Sequence, residues 1–383
     1  MIQRPKYLKN LIDLKDMDLV KIITGVRRAG KSVLLMLYRD YLLAHGIADA
    51  NIIYINFEDY EMQLVQTEAQ LRHILDQRLQ HDQRQYILLD EIQNVTGWQR
   101  VINGVCVSFD CDIVITGSNA KMLSGELATL LSGRYVEIPI YPFSFREFLV
   151  AKNIDPESRT VDRAFKEYAQ FGGFPAVTLA NEAVKDQILK GIYDTVLLND
   201  VSLRGSVRDI GSLKAVVGFL ADNTGQLVQP NKIANTLKAE GLAISPHTIS
   251  RYLELLADAF LFYRARQYDL RGRQYLRTAG KYFMIDPGLR RIATDRRAGN
   301  FSNQLENIVY TELQRRGYTI DVGKLGAQEI DFIARKNAAF YMCQGRRKNV
   351  GLWRLENVGL WRSISSLDSI RFTGNFNHMG VVN

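Results

Sequence analysis

Residues 25–32 read Gly-Val-Arg-Arg-Ala-Gly-Lys-Ser, and nothing else in the chain restricts its fold so tightly. The spacing is G-x-x-x-x-G-K-[ST]. It sits between the apolar run Leu19-Val20-Lys21-Ile22-Ile23 and a segment from Ser32 to Leu42 whose apolar residues recur at helical spacing. Strand, loop and helix in that order answer one physical problem, the holding of a polyphosphate. Gly25 and Gly30 let the backbone fold back until several N–H groups point at one anion, and the new helix adds its positive end. The spacing predicts a cradle of Gly25, Val26, Arg27, Arg28, Ala29, Gly30, Lys31, Ser32 and Val33. In it Lys31 reaches the β- and γ-phosphates, and the Ser32 hydroxyl ligates Mg²⁺. Arg27 and Arg28 can touch phosphate or face solvent; the sequence leaves both open.

Four further apolar runs follow: Ile52 to Phe57, Tyr86 to Leu89, Ile113 to Thr116, and Tyr135 to Ile138. Helical segments such as Gln70 to Gln80 fall between them. Strands alternating with helices predict an α/β fold, a parallel sheet covered on both faces with its ligand at the carboxyl ends of the strands. The run at 86–89 leads straight into Asp90-Glu91. Two carboxylates there have different work: Asp90 holds Mg²⁺, beside Ser32 or through water, while Glu91 orients and polarises the attacking water. A small-molecule kinase has no need of the second carboxylate, so the couplet favours hydrolysis. Arg134, just before the last run, suits a charge aimed at the transition state, in the same subunit or from a neighbour. It suits a surface ion pair equally well.

Several strings carry a more specific likeness: GVRRAGKS, LLDEIQNVTGWQ, VITGSNAKMLSGE, LSGRYVEIPIYPFSFREF and the Gly172-Gly173-Phe174-Pro175 motif. In order and spacing, over about residues 15–340, they resemble a large prokaryotic family of AAA-type P-loop ATPases with a winged helix and an uncharacterised C-terminal domain. The resemblance implies a P-loop NTPase sheet of the AAA/ASCE type, ATP and Mg²⁺ as cofactors, and ATP hydrolysis; it names no client. Ser118 and Asn119 look like the polar sensor that reads the γ-phosphate in such enzymes, or form a plain strand-to-loop turn.

The chain divides, on this reading, into an AAA-type domain at 1–150, a helical linker or lid at 151–225 and a winged helix at 226–298. A degenerate nuclease-like domain at 299–345 and an atypical tail at 346–383 complete it. Asn231 to Leu237 and a second helix opened by Ser245-Pro246 form the helix–turn–helix. Two strands, Phe260–Tyr263 and Tyr282–Ile285, flank a basic tip. Residues 251–300 carry ten Arg and one Lys against five acids, a net charge of +6, where the whole chain carries +8. Two functions compete for this unit. Either His247, Ser250 and Arg251 approach the groove of double-stranded DNA while Arg271, Arg273 and Arg277 contact phosphates, or the unit is a lid that moves with nucleotide state.

In the last domain a helix with Glu306 and Tyr310 on one face, then Glu329-Ile330-Asp331, looks like the frame of PD-(D/E)XK nucleases. The third strand ends in Gln344-Gly345-Arg346, which supplies neither the second carboxylate nor the lysine, so no cleavage is expected. Beyond it the likeness fails, and Asn-Val-Gly-Leu-Trp-Arg occurs twice, at 349–354 and 357–362. This end reads as truncated or frame-altered. With 46% hydrophobic residues, three scattered cysteines, no apolar N-terminal segment and no run long enough to cross a bilayer, the chain is expected in the cytoplasm, without a membrane partner. Assembly into a homo-oligomer stays open. The sequence thus predicts an ATPase whose cycle moves the winged helix and C-terminal domain, with a nucleotide-gated, DNA-associated regulator of little turnover as the alternative.

Overall fold

Strands β1 (Val20–Thr24) and β3 (Gln85–Asp90) are buried along their whole length, as strands covered on both faces must be. The computed structural model describes residues 2–120, 131, 133–269, 274–294, 301–325, 328–336, 339–345, 352–356 and 361–363. The chain clusters into two units, Met1–Tyr141 with Asp258–Phe260, and Pro142–Ala257 with Leu261–Asn383.

In the first unit, β2 (Ile52–Asn56), β4 (Cys111–Gly117) and β5 (Tyr135–Pro139) join β1 and β3 in a five-stranded sheet of order β2-β3-β4-β1-β5. All four pairings are parallel. The α/β expectation is therefore met, with five strands at the five apolar runs. Helices α1 (Pro5–Asp13), α2 (Lys31–Ala44), α3 (Glu68–Asp76) and α4 (Trp98–Ser108) cover it. Helix α3 starts where it does because Thr67 and Gln70 satisfy each other's backbone N–H groups in a capping box. One core gathers Ile22, Ile53, Ile87 and Ile115 from the strands with Leu71, Trp98 and Ile102 from the helices. Beneath it Lys21 and Asp112 form a fully buried ion pair at 3.0 Å between β1 and β4.

The second unit begins with α5 (Phe145–Ala151), α6 (Val161–Phe171) and α7 (Glu182–Thr195), which runs on as a π-helical stretch, Val196–Leu203. Next come α8 (Ile210–Asp222), β6 (Leu227–Val228), α9 (Pro230–Ala239) and α10 (Pro246–Asp258). Strands β7 (Phe262–Asp269) and β8 (Gln274–Met284) pair antiparallel, and β6 adds to the free side of β8. Helices α11 (Pro287–Ala293) and α12 (Phe301–Arg315) precede β9 (Thr319–Leu325), β10 (Gln328–Lys336) and β11 (Ala339–Gly345). The last two strands, β12 (Leu352–Glu356) and β13 (Trp361–Ser363), pair the two repeated strings with each other, Trp353 opposite Arg362 and Arg354 opposite Trp361. The sequence reading treats 226–298, 299–345 and the 346–383 tail as separate; hydrogen bonding joins six strands of the first two and two of the third in one eight-stranded sheet. The seam is a parallel pairing of β7 with β9, Gln267 beside Val322 through Asp269 beside Lys324.

The glycines of the 172–175 motif have a physical reason. Asp286 is fully buried and accepts hydrogen bonds from the N–H groups of Gly173 (2.7 Å), Gly288 (2.8 Å) and Leu289 (3.3 Å). A Cβ on Gly172 would lie 1.9 Å from its Oδ1, and the φ of +76° there suits glycine.

Candidate functional site

The parallel sheet brings the carboxyl ends of β1, β3 and β4 to one edge, and the loop after β1 is shaped there by two glycines. Gly25 has φ +145°, and a Cβ on it would stand 2.2 Å from the Ile140 carbonyl oxygen. Gly30 has φ +98° and precedes the first turn of α2. Lys31 is 3% exposed and folds back: its Nζ donates to the carbonyls of Gly25 (3.2 Å) and Val26 (3.4 Å) and pairs with Glu91 Oε1 at 3.2 Å.

Asp90 ends β3 with no exposure to solvent. Thr116, from the neighbouring strand, donates its hydroxyl to Asp90 Oδ1 and accepts the Glu91 N–H at 2.9 Å. Burial raises the Asp90 pKa above the usual carboxylate range, against the hydrogen bonds from Ser32 and Thr116. Its Oδ2 is buried without a hydrogen-bond partner. A buried carboxylate oxygen left without a donor, next to a hydroxyl that starts a helix, is the donor set a small hard cation takes. Ser32 and Asp90 therefore fit Mg²⁺.

Glu91 sits in the left-handed region, φ 54°, which turns its side chain out of the strand direction. Burial alone would raise its pKa; the Lys31 charge, the Gln93 amide and the Arg27 charge outweigh burial and hold it below the usual value. Gln93 is a residue the motif reading missed. Its amide donates to Glu91 Oε2 and to Ser118 Oγ (3.4 Å), linking the acid to the end of β4. The signal available was a polar residue two positions past the carboxylate couplet. Ser118 is fully buried and Asn119 partly so, both just past β4 on the same edge. Another omission is Arg4, whose guanidinium reaches the Ala29 carbonyl inside the loop at 3.1 Å.

The side chains of the other loop residues point away from that cluster, and Arg134 lies at the far ends of the strands. Within the loop Arg27 pairs with Glu58, Arg28 is exposed with φ 68°, and Val26 and Ala29 are buried; Val33 in the first turn of α2 is 38% exposed. Arg134 precedes β5, whose first residue, Tyr135, pairs with Val20 at the start of β1. It is thus at the amino ends of the strands, roughly 16 Å from the loop at the usual rise per strand residue. There it touches Asn103 (3.4 Å) and Asp18 (3.9 Å). The same-subunit role is corrected by that placement: the side chain faces the wrong edge of the sheet.

In the second unit, His247 is exposed on α10, Ser250 donates to the Pro246 carbonyl at 3.0 Å, and Arg251 donates to the Gly205 carbonyl. With Leu253, Glu254, Arg264 and Tyr282, the first two line an open cavity of about 520 Å³. Arg271 and Arg273 lie outside the described residues, and Arg277 is described only as part of strand β8. Glu306 on α12 meets Lys281 at 2.8 Å, and Lys281 also meets Glu329 at 2.6 Å. Burial pushes the Glu306 carboxyl up to about 7, against the pull of Lys281 and aided by the charge of Asp331. Among the described residues no three His, Cys, Asp or Glu side chains group as metal ligands. No helix among them is long and apolar enough to cross a membrane.

Residues 18–149 match the family described as an AAA domain, and residues 162–300 match a domain of unknown function (DUF8612). An uncharacterized protein of Haemophilus influenzae is 58% identical over 337 residues, which is 88% of this chain and 84% of that one. The uncharacterized protein MJ1544 of Methanocaldococcus jannaschii is 31% identical over 344 residues, 88% of this chain and 74% of its own. Among solved structures, the Walker-type ATPase PABY2304 of Pyrococcus abyssi is similar in fold, with a TM-score of 0.53 at 14% identity. The likeness spans 76% of this chain and 96% of that one.

Proposed function

This chain belongs to the same family as the Haemophilus influenzae relative, its residues 18–149 being an AAA-type P-loop ATPase domain, and we propose that it hydrolyses ATP with Mg²⁺. The observation that carries this reading is the meeting of Lys31, Asp90, Glu91 and Ser118 at one edge of the sheet. There Lys31 already touches the carboxylate that would activate water.

The loop N–H groups and the end of α2 bind the polyphosphate. Ser32 and Asp90 would hold a magnesium ion, which would supply positive charge against the polyphosphate. The γ-phosphate draws Lys31 away from the Gly25 and Val26 carbonyls and from Glu91. Glu91 then loses the cation that keeps its pKa low and becomes a stronger base. It takes a proton from a water whose oxygen attacks the γ-phosphorus as the bond to the β-phosphate oxygen breaks. Ser118 or Asn119 reads the γ-phosphate from the end of β4.

Phosphate release by Glu91→Gln tests this. The expected result is a loss of turnover of at least about a hundredfold with ATP binding kept, in line with removal of a general base. Unchanged turnover removes Glu91 from the reaction.

A specific observation favours coupling to DNA as a second reading. Helices α9 and α10 followed by the β7–β8 hairpin have the order of a winged helix, with Arg264 and Arg266 exposed on β7. On this reading duplex affinity changes with nucleotide state and falls steeply with salt. Absence of duplex binding at low salt leaves the unit a lid. Against cleavage by the C-terminal part stands its third strand, which ends in Gln344-Gly345-Arg346 and supplies neither the second carboxylate nor the lysine of a nuclease site.

A further inference from the structure

We propose that Arg4 is a positioning residue for the phosphate loop, holding it from behind in its nucleotide-accepting shape. This rests on the ATP-binding reading above and adds to it a part that no motif contains. A loop that turns its N–H groups toward an anion turns carbonyls away from it. Those carbonyls need donors of their own where water cannot reach.

Ala29 is fully buried, directly before Gly30 and Lys31. Its carbonyl accepts from Arg4 Nη1 at 3.1 Å, and Nη2 of the same group donates to the Tyr141 carbonyl at 2.9 Å. The guanidinium is 2% exposed and lies over the Tyr7 ring, 4.4 Å from its centre. The Ala29 carbonyl and the Gly30 N–H belong to one planar peptide and point in opposite directions. Fixing the carbonyl outward therefore fixes the N–H inward, where a phosphate oxygen needs it. A flipped peptide would present a carbonyl to the phosphates instead.

Arginine suits the task for a stated reason: a planar fork offers two donors in fixed geometry and keeps its charge when buried. That charge also adds positive potential behind the anion site. Arg4 stands immediately before α1, which packs on α2, the helix that Lys31 begins. Its anchor is thus tied to the element it positions.

The test compares wild type, Arg4→Met and Arg4→Lys by Mg–ATP titration, steady-state ATPase kinetics and amide hydrogen exchange in the nucleotide-free protein. Arg4→Met is expected to weaken ATP at least tenfold while kcat at saturation stays within threefold. Exchange at residues 29–31 should speed at least tenfold, with β3 and β4 unchanged. Arg4→Lys, which keeps the charge but lacks the planar two-pronged fork, should fall between, and it carries the comparison if Arg4→Met does not fold. Wild-type affinity and wild-type loop exchange in the variants would overturn the proposal. So would an exchange increase as large in β3 and β4 as in the loop, which marks general support of the fold. If the wild type takes up no ATP, the functional reading falls, while loop exchange in the variants still decides the positioning role.

Discussion

Lys31 and Glu91 hold each other in the nucleotide-free site, and most of what can be said about individual residues turns on that 3.2 Å contact. Glu91 is held below its usual pKa while Lys31 faces it, and the proposed mechanism releases it from that hold when Lys31 moves to a phosphate. The acidic limb of kcat, which reports the bound state, should therefore lie at higher pH than that of kcat/KM, which reports the free enzyme. Rate profiles from pH 4 to 8 at saturating and limiting Mg–ATP measure the two limbs, and coincident limbs would contradict the release. Gly25→Ala should abolish ATP binding, because a methyl group 2.2 Å from the Ile140 oxygen cannot be housed without moving the loop. Titration calorimetry reads that loss directly. The glycines, the lysine and the carboxylate couplet were legible in the sequence because each is demanded by local geometry or charge. Arg4 was not, because the carbonyl it touches lies 25 residues away; Gln93 was legible only as a neighbour of Glu91, since its other partner, Ser118, is 25 residues on.

Strands and helices of the first unit could be placed from the apolar runs, since a strand buried on both faces leaves an unbroken run in the sequence. The end of the sheet on which a residue emerges was harder to see. Arg134 precedes its strand and Asp90 ends one, so in a parallel sheet they face opposite edges. The ion pair between β1 and β4 was also invisible, because Lys21 inside an apolar strand says nothing of a partner 91 residues later. Lys21→Met should cost about 3–5 kcal/mol by leaving Asp112 buried and unpaired. Lys21→Met with Asp112→Leu should recover part of that, with the Asp16 N–H to Asp112 bond still lost. Urea denaturation of the three proteins measures both numbers.

At the scale of the molecule, the sequence suggested a row of modules and the hydrogen bonding made one sheet of the last three. A parallel pairing between β7 and β9 leaves no local pattern, since the strands are separated by a hairpin partner and two helices. Inside the same unit Asp286 joins the Gly172–Pro175 turn to the start of α11. Burial raises its pKa from 3.8 to about 6, so its contribution to stability is full below about pH 4 and is lost as the pH rises through 6. Asp286→Asn should flatten that part of the pH dependence of Tm between pH 4 and 7, which scanning calorimetry of variant and wild type compares. The resting contact of Lys31 with Glu91 carries one more consequence. If ATP is hydrolysed as proposed, a single ammonium group serves as a latch on the base and as the hook for the incoming tail, so the two tasks exclude each other. A ligand too short to pull the hook would then leave the latch closed, and the length of the phosphate chain would be the signal that arms the protein.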